Sequence, residues 1–237
     1  MRKVLTIAVA ALMVLAIVGA ASATETSWRV LINADNGSGG SPAIGSYVGV
    51  YPTSLEGLDT QDGAVYGGIA LDMPGTTAHV VVVVPGQTDV YGKSIKALTT
   101  PSPEKTWDIY AAVNVNSTAE VIRFYTQTVN NAYPPSMLGT QTVKYYLRLL
   151  DNKGMAGAPA NGTQWELPVP TSNVGTFWTC PVNLPAITLS VKSNAALISE
   201  GYKLQFVQTI IPEPSSLLAM GTGLIGLIGF AYRRRRA

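Results

Sequence analysis

Apolar and polar positions along residues 28–211 follow two patterns: strict alternation, and short β-branched runs that stop at Gly, Pro, Asn or Asp. Alternation is clearest at 106–115, where Trp107, Ile109, Ala111, Val113 and Val115 interleave with Asp108, Tyr110, Ala112 and Asn114. It returns at 120–128, with Ile122, Phe124 and Thr126 set against Val121, Arg123, Tyr125 and Gln127. A period of two points one set inward and the other outward along a strand. Residues 78–84 instead hold five consecutive valines and stop at Pro85-Gly86, the pattern of a strand buried on both faces and therefore central in its sheet. Further strands are predicted at 28–33, 46–51, 64–71, 93–99, 143–150, 164–169, 177–180, 187–192 and 202–211. Asp151-Asn152-Lys153-Gly154 is a turn signal. Helical pattern is confined to 193–199 and a turn at 54–58, and with prolines at 101, 103, 134 and 135 marking loops, 130–139 is the best candidate for a longer excursion. Strand signals every 10 to 15 residues predict an all-β fold, an antiparallel β-sandwich of the jelly-roll or immunoglobulin-like kind, over residues 24–211.

The two ends break this pattern. Arg2 and Lys3 precede an apolar run at 4–18, and Ala21-Ser22-Ala23 follows it. A positive start, a short apolar core and a small-x-small exit make up a secretory signal peptide. Ala21 and Ala23 then occupy the −3 and −1 positions, signal peptidase removes residues 1–23, and the mature chain starts at Thr24. As a helix the 15-residue core rises about 22 Å, short of the roughly 30 Å hydrocarbon layer. At the other end, residues 217–232 carry no charge and are followed by Arg233, Arg234, Arg235 and Arg236. This reads as a transmembrane helix that begins after Pro214 and is held by a cytoplasmic arginine cluster.

Pro212-Glu213-Pro214, the short apolar run behind it and the terminal arginines resemble, in that order, the PEP-CTERM sorting signal of Gram-negative bacteria. The resemblance covers residues 212–237. It implies that an exosortase, a membrane protease-transferase, cuts near the tripeptide and places the mature protein in the envelope or outside the cell. The chemistry of that step belongs to the exosortase, so Pro212, Glu213 and Pro214 are substrate residues. Two prolines in three residues also keep this strip extended. Separately, Trp28-x-Val30-Leu31-Ile32-x-Ala34-Asp35-x-Gly37-Ser38-Gly39, Val48-Gly49-Val50-Tyr51-Pro52 and Leu58-Asp59 resemble the opening of β-sandwich modules in bacterial secreted surface proteins. That likeness implies a fold and no catalytic residues.

Charge enters because the whole-chain value of +2 misleads. Six of the 16 basic residues sit at the ends, leaving ten between them against 13 acidic ones, a net of −3. A nucleic-acid partner is therefore not expected. One His and one Cys leave little for metal or thiol chemistry and no internal disulfide. His79 opens the valine strand without a G-x-S-x-G motif elsewhere, and is expected to be a partly exposed strand-end histidine. Cys180 lies among aromatics with no cation nearby and is expected to be a buried small apolar residue. Glu56, Asp59, Asp62 and Asp72 are the carboxylates of a conceivable hydrolase. Asn33, Asp35 and Asn36 offer oxygens to Ca2+, but their loop lacks the acid of an EF-hand-type site at position 12, and a Gly-rich turn accounts for it. Gly221-x-Gly223-x-x-Gly226 matches a dinucleotide fingerprint by spacing alone; inside an apolar run it suits close helix packing. Asn36, Asn116 and Asn161 begin N-x-Ser/Thr triplets and mark surface turns. Trp28, Trp107, Trp165 and Trp178 could stack on sugars if exposed, although most strand aromatics are core.

The expected function is that of a non-catalytic structural or adhesive surface or matrix protein without cofactor. Its processing partners are signal peptidase, exosortase and the membrane, and exopolysaccharide is its candidate partner outside. The alternative is a carbohydrate-binding module built on surface aromatics.

Overall fold

The computed structural model describes residues 27–35, 45–51, 78–84, 93–97, 104–115, 117–128, 134–138, 141–168 and 177–211. The strands are β1 (Trp28–Asp35), β2 (Ser46–Tyr51), β3 (Ala78–Val83), β4 (Lys93–Ala97), β5 (Glu104–Val113), β6 (Val121–Thr128), β7 (Met137–Leu138), β8 (Gln141–Asp151), β9 (Gln164–Glu166), β10 (Phe177–Pro185) and β11 (Tyr202–Ile211). One short helix, α1 (Asn194–Glu200), precedes the last strand. The chain is therefore mostly β, as its alternation predicts. It forms two sheets, one in the order β10-β6-β1-β2-β4 and one in the order β3-β5-β11-β8-β7, with β9 added to β8. The pairs whose register is defined are antiparallel except β2–β4, which is parallel.

Most of the described residues lie in one compact unit, Thr26–Ser136 with Val143–Ile211. The other unit comprises Met1–Glu25, Met137–Thr142 and Pro212–Ala237. Of it, the structure describes only the pairing of Met137 and Leu138 with Thr142 and Gln141.

The large unit is built on rings. Trp28 of β1 stands edge-on to Trp107 of β5 at 5.6 Å and to Tyr145 of β8 at 5.5 Å between centroids. Phe206 of β11 packs 5.6 Å from Trp107 and 5.9 Å from Tyr145. All four rings are buried, and tilted or edge-to-face geometry is the favoured contact for such quadrupoles. Alternation along β5 and β6 puts Trp107, Ile109, Ala111, Ile122, Phe124 and Thr126 inside, as the sequence pattern predicts. Gly49 of β2 has a steric reason to be glycine: a Cβ there would collide with the Trp28 carbonyl oxygen.

Three expectations are corrected. Among the described residues the valine strand is not central; β3 stands first in its sheet and pairs with β5 alone. Val80, Val81 and Val82 are buried all the same, and Val83 is half-buried. Val80 and Val82 are inaccessible, and Val81 on the opposite face packs with Ala112, Leu189, Ala196 and Leu197 beneath α1. A covering layer thus does what a second neighbouring strand would do, and Ser46 Oγ donates 3.1 Å to the Val80 carbonyl. Residues 187–192 are not a strand. Val113 N–H donates to the Ile187 carbonyl and Leu189 N–H to the Val113 carbonyl, giving one bridge at Thr188, after which the chain turns into α1. Finally, β10 does not stop at Cys180. It runs through Pro181 to Pro185, with a register shift between Thr179 and Asn183, because a strand at a sheet end with a bulge tolerates a missing donor. The predicted strand at 64–71 and turn at 54–58 lie outside the described residues.

Candidate processing site

The sequence YKLQFVQTII makes β11 a strand by β-branched and aromatic content and by alternation. Tyr202, Leu204 and Phe206 are buried in the core, while Lys203 and Gln205 face outward, half-buried. β11 lies between β5 and β8. Its register with β5 is continuous from Tyr202 opposite Ala111 to Thr209 opposite Glu104. Toward its C-terminal end the cover thins: Gln208 is buried, Thr209 and Ile210 are half-buried, and Ile211 is 37% exposed.

A polar ladder crosses the outward face over this strand. Lys203 Nζ sits 3.2 Å from Asp108 Oδ2, and Gln205 Nε2 donates 3.1 Å to Asp108 Oδ1. Burial pulls the Lys203 pKa down, but Asp108 and Tyr110 outweigh it and leave the ammonium above its ordinary value. Arg148 of β8 reaches across β11 to β5. Its Nη1 and Nη2 donate to the two Glu104 carboxylate oxygens at 3.0 and 3.2 Å, while Nε donates 2.9 Å to Gln164. Nη1 also approaches Gln205 Oε1 at 3.3 Å. A two-pronged guanidinium–carboxylate pair is directional, and at this exposure it contributes about 0.2–1 kcal/mol.

Ile211 is the last residue of β11, and the chain continues directly into Pro212-Glu213-Pro214. A family model for the PEP-CTERM protein-sorting motif matches residues 211–236. The chain carries a PEP-CTERM sorting signal. This is the motif expected from the tripeptide, the apolar run and the arginines, and it implies an exported protein, processed by an exosortase at the membrane and then extracellular or in the envelope. No curated protein and no solved structure matches the chain. Pro212, Glu213, Pro214, Arg233, Arg234, Arg235 and Arg236 lie outside the described residues, as do the signal-peptide positions Ala21 and Ala23 and both predicted terminal helices. Among the described residues no helix is long and apolar enough to cross a membrane.

The other candidates scatter over the fold. Asp35 accepts from Arg123 Nε at 3.0 Å and Nη2 at 3.4 Å, so its carboxylate already faces a cation. That hydrogen bond raises the Arg123 pKa. Asn33 is buried two residues away with its Oδ1 unpartnered, and Asn36 lies outside the described residues. Among the described residues no three His, Cys, Asp or Glu side chains come together as a metal group. Glu56, Asp59, Asp62 and Asp72 fall outside those residues.

His79 corrects its expectation: it is fully buried, and neither ring nitrogen has a hydrogen-bond partner. It shares the strand face of Val81, which α1 and Leu189 cover, and burial drives its pKa down to about 4. Cys180 is buried as expected, and burial pushes its thiol up to about 12 despite the Thr126 hydroxyl beside it. Trp28 and Trp107 are core residues, Trp165 is half-buried, and the Trp178 side chain is outside the description. Asn161 is a surface-turn residue whose Oδ1 accepts from Asn152 N–H at 2.8 Å.

The Arg148–Glu104 and Arg123–Asp35 pairs were missed by sequence reasoning. Both join residues far apart in the chain, 44 and 88 positions, and only strand order brings them together. The outward phase of Arg123 in its alternating strand was the one legible signal.

Proposed function

We propose that this protein is a non-catalytic structural or adhesive component of the cell surface or extracellular matrix, delivered there by exosortase processing of its C-terminal signal. The working part is the β domain of residues 24–211, folded as a β-sandwich after signal peptidase removes residues 1–23. The observation that carries the reading is the sorting motif at 211–236. The burial of Trp28, Trp107, Tyr145 and Phe206 supports it further, since the largest rings are committed to holding the fold together. No cofactor is part of the proposal.

In this reading Pro212, Glu213 and Pro214 form the strip that the exosortase recognises, and the apolar run with Arg233 to Arg236 keeps the precursor in the membrane until it is cut. Glu213 is the one charged residue of that strip. Glu213→Ala is expected to leave export intact and to stop processing, so that full-length precursor accumulates in the membrane fraction of a host carrying an exosortase. Deleting residues 233–236 is expected to act earlier, by weakening retention of the uncut tail. Normal processing of the Glu213→Ala precursor, read by immunoblot against the domain, contradicts the assigned role of the tripeptide.

A further inference from the structure

We propose that residues 186–201, the connection that carries α1, are an acid-released cover: in mild acid they lift away from β3 and β5 while the ring core stays closed.

The position of His79 decides how a proton can reach it. Its register partner is Ala112, so its ring stands on the face of Val81 and Tyr110. The aromatic core is on the other face, with Val80 and Val82 opposite Ala111 and Ile109 and in phase with Trp107. On the His79 face the cover is one thin layer, made by Leu189 and by Ala196 and Leu197, the two buried residues of α1. His79 is fully buried, and among the described residues neither ring nitrogen has a hydrogen-bond partner. An unpartnered imidazole carries charge only where water reaches it. Water that came through the core would have to break the ring packing, whereas water that comes through the cover displaces only three apolar side chains.

The cover is fastened at its two ends. At one, Ala186 N–H donates 2.9 Å to the Glu120 carbonyl, Val113 N–H donates 2.8 Å to the Ile187 carbonyl, and Leu189 N–H donates 3.2 Å to the Val113 carbonyl. At the other, Gly201 lies so close to β5 that a Cβ would stand 3.0 Å from the Ala111 carbonyl oxygen. Between them α1 is seven residues long, too short to persist without its packing.

The charged groups around this layer leave the imidazole as its acid-sensitive member. Of the cover's own charges, Lys192 is exposed, and the Glu200 carboxylate accepts from Ser190 N–H at 2.7 Å and from Ser190 Oγ. Those bonds hold Glu200 below the ordinary carboxylate range, so it stays ionised in mild acid. On the same face of β5, Asp108 and Tyr110 engage Lys203. β1, β2 and β4 also approach β3; there Arg29 stacks on Tyr47, Asp35 holds Arg123, and Lys96 lies over Trp107. Burial accounts for the His79 pKa of about 4. The open form takes up a proton that the closed form does not, so its population grows as pH falls from 6.5 toward 4, by about 20-fold between pH 7 and pH 5. Opening bares Val81 and Ala112.

The test is hydrogen exchange of the full-length protein in detergent micelles at pH 7 and pH 5, each rate corrected for intrinsic exchange at that pH. The Leu189, Leu197 and Gly201 amides, all bonded within the cover or to β5, should lose protection about 20-fold, while amides of β1 and β6 keep theirs. Cys180, the protein's only thiol, is buried in the five-stranded sheet and reports the core. Its labelling by dithiodipyridine, relative to a free thiol at the same pH, should not rise. His79→Leu should abolish the pH dependence of the cover. His79 is also the only histidine, so its ring resonance gives a second reading in the wild type: the charged form should grow in step with the loss of protection in α1. Unchanged protection of the cover overturns the inference, and so does a pH dependence that survives His79→Leu. Equal loss in β1 and β6 with rapid Cys180 labelling also overturns it, since the opening is then global. A ring that titrates near 6.5 beneath a cover that stays protected does the same.

Discussion

At the residue scale the most consequential position is His79. An imidazole with no solvent and no partner must stay neutral in the folded chain, and its pKa of about 4 lies below the ordinary 6.5. Between those values the unfolded chain binds the proton and the folded chain does not. The stability His79 contributes is therefore full above pH 6.5 and is lost as pH falls toward 4, by up to about 3 kcal/mol. Replacing it by Leu removes the proton-binding group and fills similar space. His79→Leu is expected to flatten the stability loss between pH 6.5 and 4.5 and to leave the pH 7.5 value unchanged or higher; parallel urea titrations at the two ends of that range check it. Phe206 makes the complementary case. It touches Trp28, Trp107 and Tyr145, so Phe206→Ala opens a hole among rings from both sheets and should cost about 3–5 kcal/mol in the same titrations. The strand that carries Phe206 was predicted at its full span, 202–211. The burial of His79 was not, because the layer over its strand comes from residues more than a hundred positions later, around Leu189 and Leu197.

The elements show why some of the fold was legible and some was not. β2 and β11 coincide with their predicted spans because turn residues or prolines bound both ends. β5 and β6 were given by period two. The errors at β3, β10 and 187–192 share a cause: sequence pattern reports which faces are buried, not which neighbour buries them. A β-branched run under a helix looks like one between two strands. A proline in a strand at a sheet end looks like a stop, and a segment that bridges once before turning looks like a strand. The short helix α1 falls within the helical pattern predicted at 193–199. Ser193 caps it, its Oγ accepting from Ala196 N–H at 3.0 Å, and α1 in turn covers Val81 and Ala112. Ser193→Ala should lower stability by about 1 kcal/mol, and amide hydrogen exchange should rise first in α1 and β3. Equal protection in both segments would mean that the cap does not hold this layer down.

For the whole molecule, the destination was the most legible property and the task performed there the least. Sorting depends on a contiguous strip read by another protein, so its residues stay together in the sequence, from Pro212 to Arg236. Surface or adhesive function depends on what the folded sheets present, and residues that meet there, such as Arg148, Glu104 and Gln205, are scattered along the chain. The central claim is that this tail is cut and does not anchor the mature protein. The direct measurement is intact-mass and C-terminal peptide analysis of the protein recovered from the surface and medium of a host carrying an exosortase. The account predicts a mature form starting at Thr24 and ending at or near residues 211 to 215. Surface-localised protein that still ends at Ala237 would contradict it and make the tail a permanent anchor.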